Sequence, residues 1–227
     1  MPQTIIVTGA SRGIGLEMCR VMAMRGDGVI ATARTTTPAL AELALVHGVE
    51  VMELEVTDAA SIAAMARRLE GRAIDVLINN AGVSSVAKTL GELTMEDLQR
   101  VFSINASAPM LVAAALLPNL RLGARKVVMN ISSQLASIAN NKGGSTLPYR
   151  ASKAALNQLT VCMANELRAD GFCCVCVHPG WVKTDMGGPN APLTPPESAG
   201  YLVRLLDGLT PAKSGAFLNY DGATMPW

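Results

Sequence analysis

Aromatic side chains are scarce in this 227-residue chain: two Trp, three Tyr and three Phe make up only 4% of it. A buried core must therefore be built from Ala, Val, Ile, Leu and the 12 Met. Charge is scarce as well, at 16%, with 19 basic against 18 acidic residues and no run of one sign. That leaves no basic stripe, so a nucleic-acid partner is not expected. Half of the residues are apolar and mean hydropathy is +0.30, which excludes the low-hydrophobicity, high-charge composition of disordered chains.

Cysteine is present but not in a useful pattern. Five residues, Cys19, Cys162, Cys173, Cys174 and Cys176, are odd in number, and two are adjacent, which argues against a disulfide framework. No second Cys/His cluster stands at zinc spacing, so no metal site is expected. Free thiols buried in a strand fit better. The opening Met-Pro-Gln-Thr-Ile-Ile-Val lacks the basic start of a signal peptide and predicts a strand. The longest apolar stretch, 101–117, is interrupted by Ser103, Asn105 and Ser107 and falls short of the ~18 residues of a membrane span. A soluble, cytoplasmic protein without a membrane partner is the expectation.

What is present is alternation. Short β-branched runs at 4–8, 29–32, 50–53, 76–79, 126–131, 173–178 and 216–219 predict strands. Helical patterns at 13–24, 38–46, 59–69, 94–117, 149–168 and 196–207 lie between them. This order predicts an α/β fold of three layers: a mostly parallel sheet with helices on both faces. The strands are almost continuously apolar, as when both faces are covered. Thr94 and Thr57-Asp58 carry helix-start chemistry. No linker, repeat or charge block divides residues 1–227, so one domain is expected. A Gly/Pro-rich stretch at 187–196 predicts an irregular, ligand-covering loop.

The first strand runs into Thr8-Gly9-Ala10-Ser11-Arg12-Gly13-Ile14-Gly15 and then a helix. Glycines there let the backbone turn sharply and approach a pyrophosphate, whose charge the helix amides hold. Gly9, Ser11, Arg12, Ile14 and Gly15 are the positions of this turn that would face a dinucleotide. No Lys-Ser/Thr follows, which excludes a P-loop. After the second strand, Ala33-Arg34-Thr35 has no carboxylate for a ribose 2′-hydroxyl. Arg34 and Arg12 could instead fork a 2′-phosphate, which favours NADP(H) over NAD(H).

Tyr149 and Lys153 are four residues apart in a helical pattern and share one face. A nearby ammonium favours the phenolate and would lower the tyrosine pKa, making a general acid/base. Asn130-Ile131-Ser132-Ser133 ends the fifth strand, and a hydroxyl there can stabilise a carbonyl oxygen gaining charge. Either serine could serve; Ser133 is preferred.

Six motifs in order, Thr8–Gly15, Asn79-Asn80-Ala81-Gly82, Phe102-Ser103-Ile104-Asn105, Ile131-Ser132-Ser133, Tyr149-Arg150-Ala151-Ser152-Lys153 and His178-Pro179-Gly180, resemble the short-chain dehydrogenase/reductase family. Tyr149–Asn157, Gly143-Gly144, Asn219-Tyr220-Asp221-Gly222 and Pro226-Trp227 are similar to its C-factor and sniffer-type carbonyl-reductase branch. The resemblance implies a Rossmann-like domain with seven strands and a catalytic set of Asn105, Ser133, Tyr149 and Lys153. In it Tyr149 protonates the substrate oxygen, Ser133 orients it, Lys153 binds the nicotinamide ribose, and Asn105 holds a relay water. The resemblance also places Asn80, Ala81 and Gly82 by the adenosine ribose. Pro179, Gly180, Val182 and Thr184 would lie against the nicotinamide, and Glu55 with Val56 at the adenine, where the family often has Asp.

The expected activity is reversible reduction of a neutral ketone or aldehyde. Its pocket is expected from 84–91, 135–146 and the loop at about 183–196, with Trp181 and Met186 nearby. The rival expectation is a dinucleotide-binding signalling protein with little turnover. His178 and His47 are read as structural, and Met18, Met22 and Met24 as core. The resemblance implies a homodimer or homotetramer, and the helices at 94–117 and 149–168 are apolar over more of their circumference than one sheet contact requires.

Overall fold

The strand Thr4–Thr8 (β1) lies in the interior of a seven-stranded parallel sheet in the computed structural model, which describes residues 2–227. β1 pairs on one side with β2 (Gly28–Ala33) and on the other with β4 (Val76–Asn79). β3 (Glu50–Glu53) closes one edge; β5 (Val127–Ile131), β6 (Cys173–His178) and β7 (Phe217–Asn219) continue the other. The strand order is β3-β2-β1-β4-β5-β6-β7. The chain winds outward from β1 to β3, then jumps back across β1 to β4. That reversal opens a crevice at the carboxyl ends of β1 and β4, where open α/β sheets bind ligands.

Period-two geometry explains the two cores. Ile5 and Val7 point to one face with Met18, Leu40 and Leu202; Ile6 points to the other with Ile62, Leu116 and Phe172. The first face is covered by α1 (Gly13–Met24), α2 (Pro38–His47) and α7 (Pro195–Asp207). The second is covered by α3 (Ala59–Arg68), α5 (Ala108–Leu122) and α6 (Leu147–Glu166). Both faces being dry is why the strands lack polar alternation.

Local chemistry places most helix starts. Asp58, not Thr57, caps α3 through Ala60 N (2.9 Å). Thr94 caps α4 (Met95–Phe102) through Asp97 N (3.1 Å). Thr194 and Glu197 form a reciprocal capping box, so Pro195 and Pro196 open α7 and do not extend the loop. The helix expected at 94–117 differs most. A π-turn at Ser103–Ser107 joins α4 to α5, and α5 runs through Pro118 to Leu122. Ala114 and Pro118 are both exposed, so water reaches the carbonyl that proline leaves without a donor. The run Met95–Leu122 is long and apolar enough to cross a membrane. Here Val112, Ala113, Leu116 and Leu120 pack into the second core.

Met18 and Met22 are core residues as expected, but Met24 is 66% exposed at the helix end. Cys19, Cys173, Cys174 and Cys176 are free and buried. Burial pushes the Cys173 thiol up to about 11 and the other three to about 12, so none offers a thiolate.

Candidate active site

The glycine turn is tied to the end of β4 by side chains that match its backbone. Thr8 Oγ1 accepts from Asn80 N (3.0 Å) and Ala81 N (3.1 Å). Asn80 Nδ2 donates to Thr8 O (2.9 Å) and Gly9 O (3.1 Å). Gly9, at φ +68°, could not carry a Cβ, which would stand 2.8 Å from Ala81 Cα. A Cβ at Gly15 would meet Asn80 Nδ2 and lie 2.6 Å from Gly9 O. The turn thus delivers α1 into the crevice without a side-chain cap on its first amides. Those donors face the space in front of the turn, where an anion satisfies them.

From there a cavity of about 650 Å³ runs between Arg34 and Leu54 at one end and Tyr149 and Lys153 at the other. Of the residues expected to contact a dinucleotide, Gly9, Ser11, Arg12, Ile14, Gly15, Arg34, Glu55, Val56, Asn80, Ala81, Gly82, Pro179 and Thr184 line it. Gly180 and Val182 do not. Gly180, at φ +88°, tucks beneath Leu193 and Tyr220, and Val182 is buried in a bridge to Leu193.

At the Arg34 end both arginines already hold a carboxylate. Arg12 Nη1 is 2.8 Å from Asp185 Oδ2, and Arg34 Nη1 is 3.7 Å from Glu55 Oε2. Glu55 Oε1 also accepts from Thr57 N (3.0 Å) and Thr57 Oγ1 (2.7 Å). Burial opposes its ionisation, but the Thr57 donors and the Arg34 charge hold its pKa below the usual carboxylate range. The side chain expected at the adenine is therefore turned toward Thr57 and Arg34.

At the other end the charge is buried. Lys153, 4% exposed, donates from Nζ to Ile131 O (2.7 Å). Burial pulls its pKa down to about 8, against the pull of the neighbouring Cys176 thiol. The nearby Ser133 hydroxyl pulls the Tyr149 pKa down, yet burial raises it above the ordinary phenol value. The sequence predicts the opposite direction for this tyrosine. Desolvation outweighs the pull of Ser133, because burial favours the uncharged phenol. The two serines differ in partners: Ser133, near Tyr149, accepts from Leu135 N at Oγ (3.1 Å), while Ser132, which lines the cavity, donates its hydroxyl to Asn157 Oδ1 (2.7 Å) on α6.

Asn105 sits wholly buried in the π-turn. Its Oδ1 accepts from Val83 N (2.9 Å) and its Nδ2 donates to Val83 O (2.9 Å) and Ser152 Oγ (3.1 Å). The amide extends β4 as a strand partner would. A Cβ on Gly82 would stand 3.3 Å from Asn105 Oδ1 and 3.6 Å from Lys153 Nζ, so these two converge behind Gly82.

Sequence reasoning missed Thr37, Leu54 and Val83 among the lining residues; Lys183 and Asp185 fall within the expected loop at 183–196 and Ile104 within a quoted motif, but none of the three was singled out. Of the expected substrate walls, Met186 and Pro195 line the cavity, but 84–91 and 135–146 do not. Val86 N and Ala87 N are drawn to Asp97 Oδ2 (2.9 and 3.1 Å), and Ala139 N to Trp227 O (2.9 Å). The Gly/Pro-rich loop is braced at its start, with Lys183 N donating to Leu193 O (2.8 Å). His178 is 6% exposed, its Nδ1 has no protein partner, and burial lowers its pKa to about 4. Among the described residues no Cys, His or carboxylate group could hold a metal ion.

This sheet order with a glycine turn at its switch point defines a dinucleotide-fold oxidoreductase. Residues 3–192 match the model of the short chain dehydrogenase family, and the chain belongs to it. It is 48% identical over 154 residues to the C-signal protein of Myxococcus xanthus, covering 68% of this chain and 93% of that one. It superposes on the carbonyl reductase Sniffer of D. melanogaster at TM-score 0.94, with 32% identity and both chains fully covered. The NADPH-bound carbonyl reductase from chicken fatty liver matches at TM-score 0.91 and 38% identity, covering 100% of this chain and 99% of that one. The chain thus falls in the C-factor and sniffer-type branch.

Proposed function

We propose that the protein is an NADP(H)-dependent carbonyl reductase, working as one domain, with Tyr149 as general acid. The observation that carries this is a single cavity with Tyr149 and buried Lys153 at one end and two arginines at the other. The residues fit a dinucleotide: the uncapped start of α1 offers amides to a pyrophosphate, and the glycines leave room for it. When bound, a nicotinamide supplies the hydride for reduction and accepts it for oxidation. NADPH in the chicken relative supports this reading.

The chain supplies the rest. In this reading Ser133 and Tyr149 act together on the carbonyl oxygen of the substrate. Burial keeps the phenol protonated at neutral pH, so it holds a proton to give as that oxygen gains charge. The Lys153 ammonium, fixed by Ile131 O, stabilises the phenolate left behind. Asn105 is assigned the relay water that returns the proton through Lys153. No basic cluster adjoins Tyr149, and the nearby Met186 and Pro195 walls suit a neutral ketone or aldehyde. Pairing of two copies through α5 and α6 is proposed on Leu111 and Leu159, which stand exposed there, and sedimentation reads it.

The test is NADPH oxidation against a panel of aldehydes, ketones and diketones. Tyr149→Phe is expected to lower kcat by about 10²- to 10⁴-fold while NADPH binding is kept. The likeness to C-signal supports a second reading, a signalling protein that binds the dinucleotide without useful turnover. Tight NADPH binding with no turnover across the panel decides for it.

A further inference from the structure

Residues 181–193 form a turn closed at its base. Lys183 N donates to Leu193 O (2.8 Å) and Leu193 N to Trp181 O (3.2 Å). Thr184 braces the interior, its Oγ1 accepting from Gly187 N (3.1 Å) and its carbonyl from Gly188 N (2.9 Å). Trp181 Nε1 donates to Gly187 O (2.7 Å). The tip leans on the glycine turn: the Thr184 methyl lies 3.4 Å from where a Gly13 Cβ would be. The ionic tether between the two is Arg12 Nη1 to Asp185 Oδ2, 2.8 Å, with both side chains about three-quarters exposed. Both residues line the cavity, so the pair joins two of its walls.

An ion pair this exposed is weak and easily exchanged. A phosphate offers the same guanidinium two parallel, charge-assisted hydrogen bonds and is the stronger partner. The Arg34–Glu55 pair differs in consequence: Glu55 follows β3 and is held by Thr57, so losing Arg34 frees no loop. Asp185 sits on the loop itself.

We propose that Asp185 makes residues 183–188 sense the 2′-phosphate of the dinucleotide. Arg12 exchanges between Asp185 and that phosphate, so a 2′-phosphorylated ligand unlatches the loop and an unphosphorylated one leaves it latched. Asp185 is thereby a specificity-determining residue, an internal competitor for the arginine. This rests on the NADP(H) reading above.

The experiment uses the full chain with 2′,5′-ADP and 5′-AMP as probes, hydrogen exchange over 183–188 and calorimetry. Saturating 2′,5′-ADP is expected to raise exchange at the Gly187 and Gly188 amides about two- to fivefold, the population factor an exposed ion pair supplies. 5′-AMP is expected to leave it unchanged. Asp185→Asn is expected to show the raised exchange without ligand, no further rise with it, and about two- to fivefold tighter 2′,5′-ADP binding. If 2′,5′-ADP binds while 183–188 stay as they were, or Asp185→Asn binds it no better, the latch is wrong and the NADP(H) reading stands. If 2′,5′-ADP does not bind, both fall.

Discussion

The two ends of the cavity hold their charges in opposite ways. Arg12 and Arg34 stand about three-quarters exposed, each beside a carboxylate. Lys153 is buried, has no carboxylate within ion-pair reach among the described residues, and donates to a backbone carbonyl. In water a charge interacts weakly and is screened by salt, so it can change partners at little cost. In a dry site the charge itself is strained, and its proton becomes labile near neutral pH. The first arrangement suits recognition of a ligand that must come and go. The second suits proton transfer.

The sharpest way to break this contrast is Lys153→Met. With the ammonium gone, kcat for carbonyl reduction is expected to fall by about 10²-fold or more. In the wild type kcat is expected to decline as pH rises through about 8, where Lys153 loses its proton, and the variant should lack that limb. Stability moves the other way. Between about 8 and the ordinary lysine value the unfolded chain holds a proton the folded chain has lost, so unfolding free energy rises with pH. Urea titrations at pH 8 and 10 beside the rate profile separate the two effects. A kcat that stays level through pH 9 removes the ammonium from the chemistry.

His178 tests whether burial alone imposes such costs. Its folded pKa of about 4 lies below the ordinary histidine value of 6.5, so between these values only the unfolded chain takes up the proton. Stability is therefore present above pH 6.5 and lost as pH falls toward 4, by about 3 kcal/mol. His178→Asn should flatten that slope in denaturant titrations at the two pH values. An unchanged slope would assign it to other groups.

Arg34→Ala probes the wet end and should have the smallest effect. Loss of charge-assisted bonds to a 2′-phosphate is expected to raise the NADPH KM roughly tenfold and leave NADH unaffected. The difference should shrink at high salt. Equal loss for both cofactors would deny Arg34 the phosphate.

Much of this layout was legible before the fold. The bounds of β1, β3, β4, β6 and α1 follow from apolar periodicity and the glycine turn, because those signals are short-range. The π-turn was not, since nothing in Ser103–Ser107 marks it locally. It serves a contact 22 residues away, where the Asn105 amide meets both backbone groups of Val83. The helix running through Pro118 was missed for a related reason. Proline removes a bond anywhere in a helix, but only the fold decides whether water can reach the freed carbonyl.

Residue chemistry in this chain determined the class of fold, the glycine turn, and the candidacy of Tyr149, Lys153, Arg12 and Arg34. Tertiary structure alone decided their partners. It set Ser133 near Tyr149, turned Ser132 to Asn157, diverted Glu55 to Thr57, and brought Asp185 across to Arg12. It also reversed the expected direction of the tyrosine shift. A pattern along the chain encodes which groups are available, but hydrogen bonds and desolvation depend on distances that exist only once remote segments are packed together.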